Sequence, residues 1–315
     1  MLSVFFKVAS IFCMVAVGYC ASKKNILPMD SNKYLVNLIL TITNPCLIIS
    51  SLSAQTLTGD TVRQAAEIIA GSIVFFIAAA AVAFVIVKAM GYKPLEDQGV
   101  MMVIITAVNT GFMGFPVTKA FFGDYFFFLM VIQNMVLNFY LYFEAVIQMN
   151  YGQKKKSSIK DALRPLLNNN TYALLIGLVI LISEFKMPSP VYDFFETFGN
   201  VTIPVSMLVV GIQLADSNLL NMLKNTKLIL ASLANVVLIP VLTFLAVNWL
   251  PIMDESKLIL VFAASFPCAV VTVAVSSKEG RNSSLMAEGV ALTTLFSMAT
   301  LPVAAMFLMH TYLPS

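Results

Sequence analysis

Ten stretches of the chain contain no Asp, Glu, Lys or Arg: residues 8–22, 34–59, 68–87, 98–118, 125–143, 165–183, 197–215, 228–253, 258–277 and 289–315. A helix needs about 20 mostly apolar residues to cross a hydrocarbon core. Nine of the stretches reach that scale, and the first does so by extending to Leu2 with Lys7 snorkelling to a headgroup. The pattern predicts ten membrane-crossing helices. Strands are excluded because a barrel shows weaker segments that alternate apolar and polar residues, and an open backbone finds no partner in lipid. The first stretch lacks a small-residue cleavage site and runs directly into further spans, so it is expected to be kept rather than cleaved as a signal peptide.

Composition agrees with this pattern. Of 315 residues 59% are hydrophobic and 11% charged, with mean hydropathy +0.88; a soluble chain carries about 25% charged residues. The basic residues fix an orientation. Fourteen of the nineteen fall in the odd-numbered loops, among them Lys23, Lys24, Lys88, Lys154, Lys155, Lys156, Arg164, Lys278 and Arg281. The positive-inside rule puts those loops in the cytoplasm and both termini outside. The net charge of +3 follows from this asymmetry and implies no nucleic-acid partner.

Several chemistries are missing. Cys13, Cys20, Cys46 and Cys268 lie in apolar stretches without a Cys-x-x-Cys pair. His310, the one histidine, stands almost at the C-terminus and completes neither a catalytic pair nor a His-based metal site. There is no Gly-rich phosphate loop. An enzyme, a metal site and a cofactor are all unexpected.

The polar linker 150–164 splits the spans into a five-helix half at 1–149 and another at 165–315. Gly18 and Gly177 stand 159 residues apart, Pro28 and Pro188 160, Pro45 and Pro204 159, and Pro116 and Pro267 151. Repeats with an odd number of spans must lie in opposite membrane orientations. Transporters built this way place substrate at the midplane, between interrupted helices at matching positions. The fourth span of each half qualifies: VNTGFMGFPV at 108–117 and ASFPCAVVTVAV at 264–275. Proline removes a backbone donor and clashes with the carbonyl four residues back, so Pro116 and Pro267 are expected to open their helices. The freed helix N-terminal ends carry partial positive charge and attract an anion where no lysine is buried. Asn109, Thr110, Gly111, Ser265 and Cys268 flank the breaks. Asn44 beside Pro45, and Asn134 with Asn138 one turn apart on the fifth span, are further polar candidates. Glu67, Glu144 and Glu288 sit near span ends and are suspects for a proton or cation site.

At these residues the chain resembles the auxin efflux carrier family, which includes the plant PIN-formed carriers and bacterial relatives described as malate or malonate permeases. Asn109-Thr110, Met113-Gly114 and Pro116 match the Asn-Thr…Met-Gly-x-Pro stretch of the family's first broken helix. Pro267 with Ser277-Lys278-Glu279 is similar to the second. Asn170-Thr171-Tyr172…Gly177-Leu178 resembles the stretch that opens the second half. The resemblance implies an all-α membrane protein of ten helices in two inverted five-helix repeats with crossed breaks. It also implies a scaffold from spans one, two, six and seven, a homodimer, elevator-like motion, and carboxylate-binding roles for Asn109 and Asn170. The expected function is secondary transport of a small organic anion across the bilayer. The alternatives are a sodium-coupled organic-anion symporter of the bile-acid type, using hydroxyls such as Thr110 and Ser265, and a ligand-binding membrane sensor.

Overall fold

The computed structural model describes residues 2–152, 168–217 and 222–313, with side chains from Ser10 onward. Of the expected linker 150–164, residues 153–164 lie outside the described residues. Every regular element among the described residues is a helix. They are α1 (Leu2–Lys23), α2 (Met29–Ser53), α3 (Gly59–Ala89), α4 (Gln98–Thr106), α5 (Phe115–Phe122), α6 (Asp124–Met149), α7 (Asn169–Ile182), α8 (Ser189–Asn200), α9 (Thr202–Asp216), α10 (Thr226–Asn248), α11 (Asp254–Ala264), α12 (Val271–Lys278) and α13 (Ser283–Tyr312).

Seven helical stretches are long and apolar enough to cross a membrane: Met29–Ser53, Gly59–Ala89, Leu95–Phe122, Asp124–Met149, Ser189–Asp216, Thr226–Asn248 and Ser283–Tyr312. Ser10–Lys23 and Asn169–Ile182 are apolar but shorter. The stretch expected as the ninth span is two helices, α11 and α12, separated by non-helical residues 265–270. Ile77, Val85, Val179, Ile182 and Val303 are exposed on these helices, as lipid-facing side chains must be. Starts are set locally. The side-chain oxygens of Asn168, Asn225 and Asn282 accept backbone N–H groups in the first turns of α7, α10 and α13. Each satisfies donors that lipid leaves orphaned.

Five-residue π-helical segments interrupt the α-helical ladder at Ile39–Thr43, Thr110–Gly114, Tyr140–Glu144 and Ala234–Leu238. Three of them end two residues before a proline: Pro45, Pro116 and Pro240. A proline leaves its i−4 carbonyl without an N–H partner and crowds it. The wider π turn accommodates that residue while the helix continues, although Pro302 in α13 manages without one. Pro116 therefore does not open its helix as expected: the non-helical residues are Ala107–Asn109, and Pro116 lies in α5 behind the π turn.

The chain folds as two compact units. One comprises Met1–Ala66, Gly111–Ile132 and Leu167–Asp216; the other Glu67–Thr110, Gln133–Leu166 and Ser217–Ser315. In the first, α1 packs on α9 and α7 on α2. Backbone approach is closest at glycines: a Cβ on Gly18 would stand 2.5 Å from the Leu208 carbonyl oxygen, and one on Gly211 would meet the Val15 carbonyl and, at 2.6 Å, Tyr19 N. Gly177 gives the same room to Leu52 at 2.5 Å. Lys119 at the end of α5 pairs with Asp124 at 3.1 Å and donates to Asn200 Oδ1 at 3.2 Å. In the second unit α4 is wholly buried, resting on the C-terminal end of α6, on α10 and on α13. Gly99 admits the Gln148–Met149 backbone, and Gly289 admits Ile104.

Candidate functional site

The second unit assembles both breaks. α4 ends at Thr106, whose hydroxyl bonds back to Met102 O at 3.0 Å. α11 ends at Ala264, and the next residue, Ser265, bonds back to Val261 O at 2.9 Å. Both are i−4 bonds, which compete with the backbone ladder at the last turn of a helix. Beyond them the chain is extended at Ala107, and Asn109 N–H donates to Pro267 O at 2.8 Å, joining one break to the other through the main chain. Asn109 is 2% exposed and Thr110 wholly buried.

Side chains from the following helices hold the breaks. Asn134 Nδ2 donates to Thr110 Oγ1 at 2.8 Å, and Asn138 Nδ2 reaches Asn134 Oδ1 at 3.4 Å. Cys268 N–H donates to Thr293 Oγ1 at 3.1 Å, and the Cys268 thiol faces Thr272 Oγ1 at 3.6 Å. Asn235, on the π segment of α10, donates from Nδ2 to Ile105 O at 3.0 Å and to Ala107 O at 3.3 Å. It supplies the carbonyls freed where α4 stops, which nothing in lipid could do. Asn235 and Thr293 were absent from the sequence-derived candidates. Asn235 has one signal in the sequence, a strongly polar side chain amid the apolar LASLANVVLIP.

Of the sequence candidates, Asn109, Thr110, Asn134, Asn138, Ser265, Pro267 and Cys268 belong to this unit and, apart from Ser265, are joined by the bonds above. Ser265 is spent on its own helix. Gly111, Pro116, Asn44 and Asn170 belong to the first unit. There Asn44 is 2% exposed, and its Oδ1 has no hydrogen-bond partner. Asn170 lies in the first turn of α7, its N–H held by Asn168.

The spacing of these features is regular. Thr106 and Ser265, Asn109 and Cys268, Asn134 and Thr293 are each separated by 159 residues, as are Thr43 and Thr202, two buried threonines whose hydroxyls lack partners. This is the offset of Gly18–Gly177 and Pro45–Pro204. Pro116 and Pro267, 151 residues apart, fall outside this offset, whereas Asn109 and Cys268 share it.

Chemically, the arrangement is a set of amides, hydroxyls and helix termini at two helix breaks, without a catalytic pair. The model of the family described as membrane transport protein matches residues 3–305. An uncharacterized transporter of Methanocaldococcus jannaschii is 22% identical over 321 aligned positions, covering 95% of this chain and 97% of that protein. A multi-pass helical membrane protein with paired breaks thus meets a family match over nearly its whole length: the chain belongs to the membrane transport protein family, of the auxin efflux carrier type.

Proposed function

We propose that the protein is a secondary transporter of a small organic anion, a mono- or dicarboxylate such as malate, malonate or an auxin-like acid, working by elevator-type alternating access in the plasma membrane. The observation that carries this reading is the Asn109 N–H to Pro267 O bond. With it, two helix breaks and their amides and hydroxyls come together in one unit, and no lysine is buried at the break among the described residues. The carboxylate is held by the Asn109 amide, by Thr110 with Asn134 and Asn138 behind it, and by the N-terminal end of α12, where the positive end of the helix dipole favours an anion. Asn235 and Thr293 keep the breaks in shape.

Ten crossings in two inverted five-helix repeats, 1–149 and 165–315, are part of the same reading. The 159-residue offset supports them, since it relates the breaks, their back-bonded hydroxyls and the side chains that reach them. The first unit collects α1, α2, α7, α8 and α9, which supports a scaffold built from spans one, two, six and seven, although it also takes in α5. A homodimer and extracytoplasmic termini complete the proposal. Its test is a thermal-shift screen of carboxylates on purified protein. Malonate, malate or an aromatic acetic acid stabilises the native chain and fails to stabilise Asn109→Ala. A chain that responds to none of these anions but to a neutral or cationic solute overturns the substrate class.

A further inference from the structure

The remaining π segment, Tyr140–Glu144, has no proline after it; Ala145 and Val146 follow. A π turn without that cause marks a place where a helix shifts register to set particular side chains. Its first and last residues are Tyr140, 3% exposed, and Glu144, the one acid of α6 beyond Asp124. One turn on, Gln148 donates from Nε2 to Glu144 Oε1 at 3.3 Å. Gln148 Oε1 accepts from Thr106 Oγ1 at 3.1 Å, and Thr106 Oγ1 is also hydrogen-bonded to the Tyr140 hydroxyl. The Tyr140 ring is stacked on Phe76, with centroids 4.2 Å apart, which fixes that hydroxyl. A carboxylate inside a span is thus wired to Thr106, the last helical residue before the first break.

We infer that Glu144 is a proton-binding site whose occupancy sets the direction of the hydrogen bonds at the first break, and that anion movement is coupled to it. The coupling rests on the transport reading above; the proton site does not. An ionised carboxylate only accepts, so Gln148 turns its amide N–H to Glu144 and its carbonyl to Thr106, and Thr106 donates. Protonation forms one O–H bond at a Glu144 oxygen and breaks one in a hydronium ion, which leaves as water; the charge of the carboxyl goes from −1 to 0. The new O–H donates, so the Gln148 amide turns over and offers N–H to Thr106. Thr106 then accepts, and its own hydrogen goes to Met102 O, the acceptor 3.0 Å away. One charge change therefore rewrites the last turn of α4. Tyr140, on the same π segment, is the titratable group coupled to Glu144 and lies near the Cys268 thiol, while α12, packed against this part of α6, carries Lys278 at its C-terminal end. α4 contributes none, and Phe76 of α3 is neutral.

The test is an infrared titration of the protein in liposomes, paired with malonate flux and a trapped pH dye. The native chain shows a protonated-carboxyl band that titrates. The band is missing in Glu144→Gln, returns in Glu144→Asp, and has its midpoint moved by about one pH unit in Gln148→Leu, which removes one hydrogen bond to the carboxylate. Malonate flux in the native chain changes about tenfold across that titration and carries protons; in Glu144→Gln it is flat with pH and carries none. Melting curves of each variant establish that it is folded. A titrating Glu144 band without movement of any anion upholds the proton site and sinks the transport reading. Malonate flux with the same pH profile in the native chain and Glu144→Gln, and no band lost, overturns the proton site while transport stands.

Discussion

At the scale of single residues, the break is maintained by polar side chains aimed at main-chain groups. Asn235 donates to two carbonyls, Ile105 O and Ala107 O, that the end of α4 leaves exposed. Removing it leaves buried acceptors without donors, at a cost of about 0.6–1.7 kcal/mol for hydrogen bonds between membrane helices. Asn235→Leu is therefore expected to lower the melting temperature of the detergent-solubilised protein and to weaken anion binding together with it, because the residue positions the break. Asn109→Ala should behave differently. In the proposed transport role it removes a donor to the carboxylate, about 1.5–3 kcal/mol or roughly 10–150-fold in affinity, with little change in melting temperature without anion. Isothermal titration with malonate separates the two. Asn109 was legible in the sequence because it breaks an apolar run next to glycines and a proline. Asn235 was not, since its partners are carbonyls of a helix 130 residues away in the chain.

At the scale of elements, hydrophobic runs and charge spacing marked the helices, whereas the interruptions were only partly visible. Pro116 announces a disturbance, but its cost is absorbed by the π turn Thr110–Gly114, and the main chain leaves the helix earlier, at Ala107. Pro267, by contrast, lies inside its break. Propensity cannot tell these cases apart, because both satisfy the same lost donor, one by widening a turn and the other by ending the helix. The π segment at Tyr140–Glu144 left no sequence signal. Helix pairing does follow small residues. Gly211→Ala puts a methyl group against the Val15 carbonyl and Tyr19 N, and should destabilise by about 1–3 kcal/mol of overpacking. Gly59→Ala, with nothing within 4 Å, should be neutral or slightly stabilising. Thermal unfolding of the two variants side by side checks this.

At the scale of the whole molecule, membrane class was open to reading because bilayer burial imposes composition and length directly, and the family because of the motif resemblance at Asn109–Pro116, Pro267 and Asn170–Leu178. The division into two compact units was not, since each gathers three separated stretches of chain and cuts through α3 and α6. The expected orientation makes its own prediction. In a cysteine-free background, an impermeant thiol reagent should label Lys24→Cys from the cytoplasmic side and Thr311→Cys from the opposite side. The central claim is that the paired break carries a small organic anion, and proteoliposome counterflow of radiolabelled malonate and malate tests it most directly. The account predicts accumulation of at least one of the two by the native chain, reduced at least tenfold by Asn109→Ala under equal reconstitution. Equal counterflow in the native chain and Asn109→Ala, or none with any carboxylate in the presence or absence of sodium and proton gradients, would contradict it.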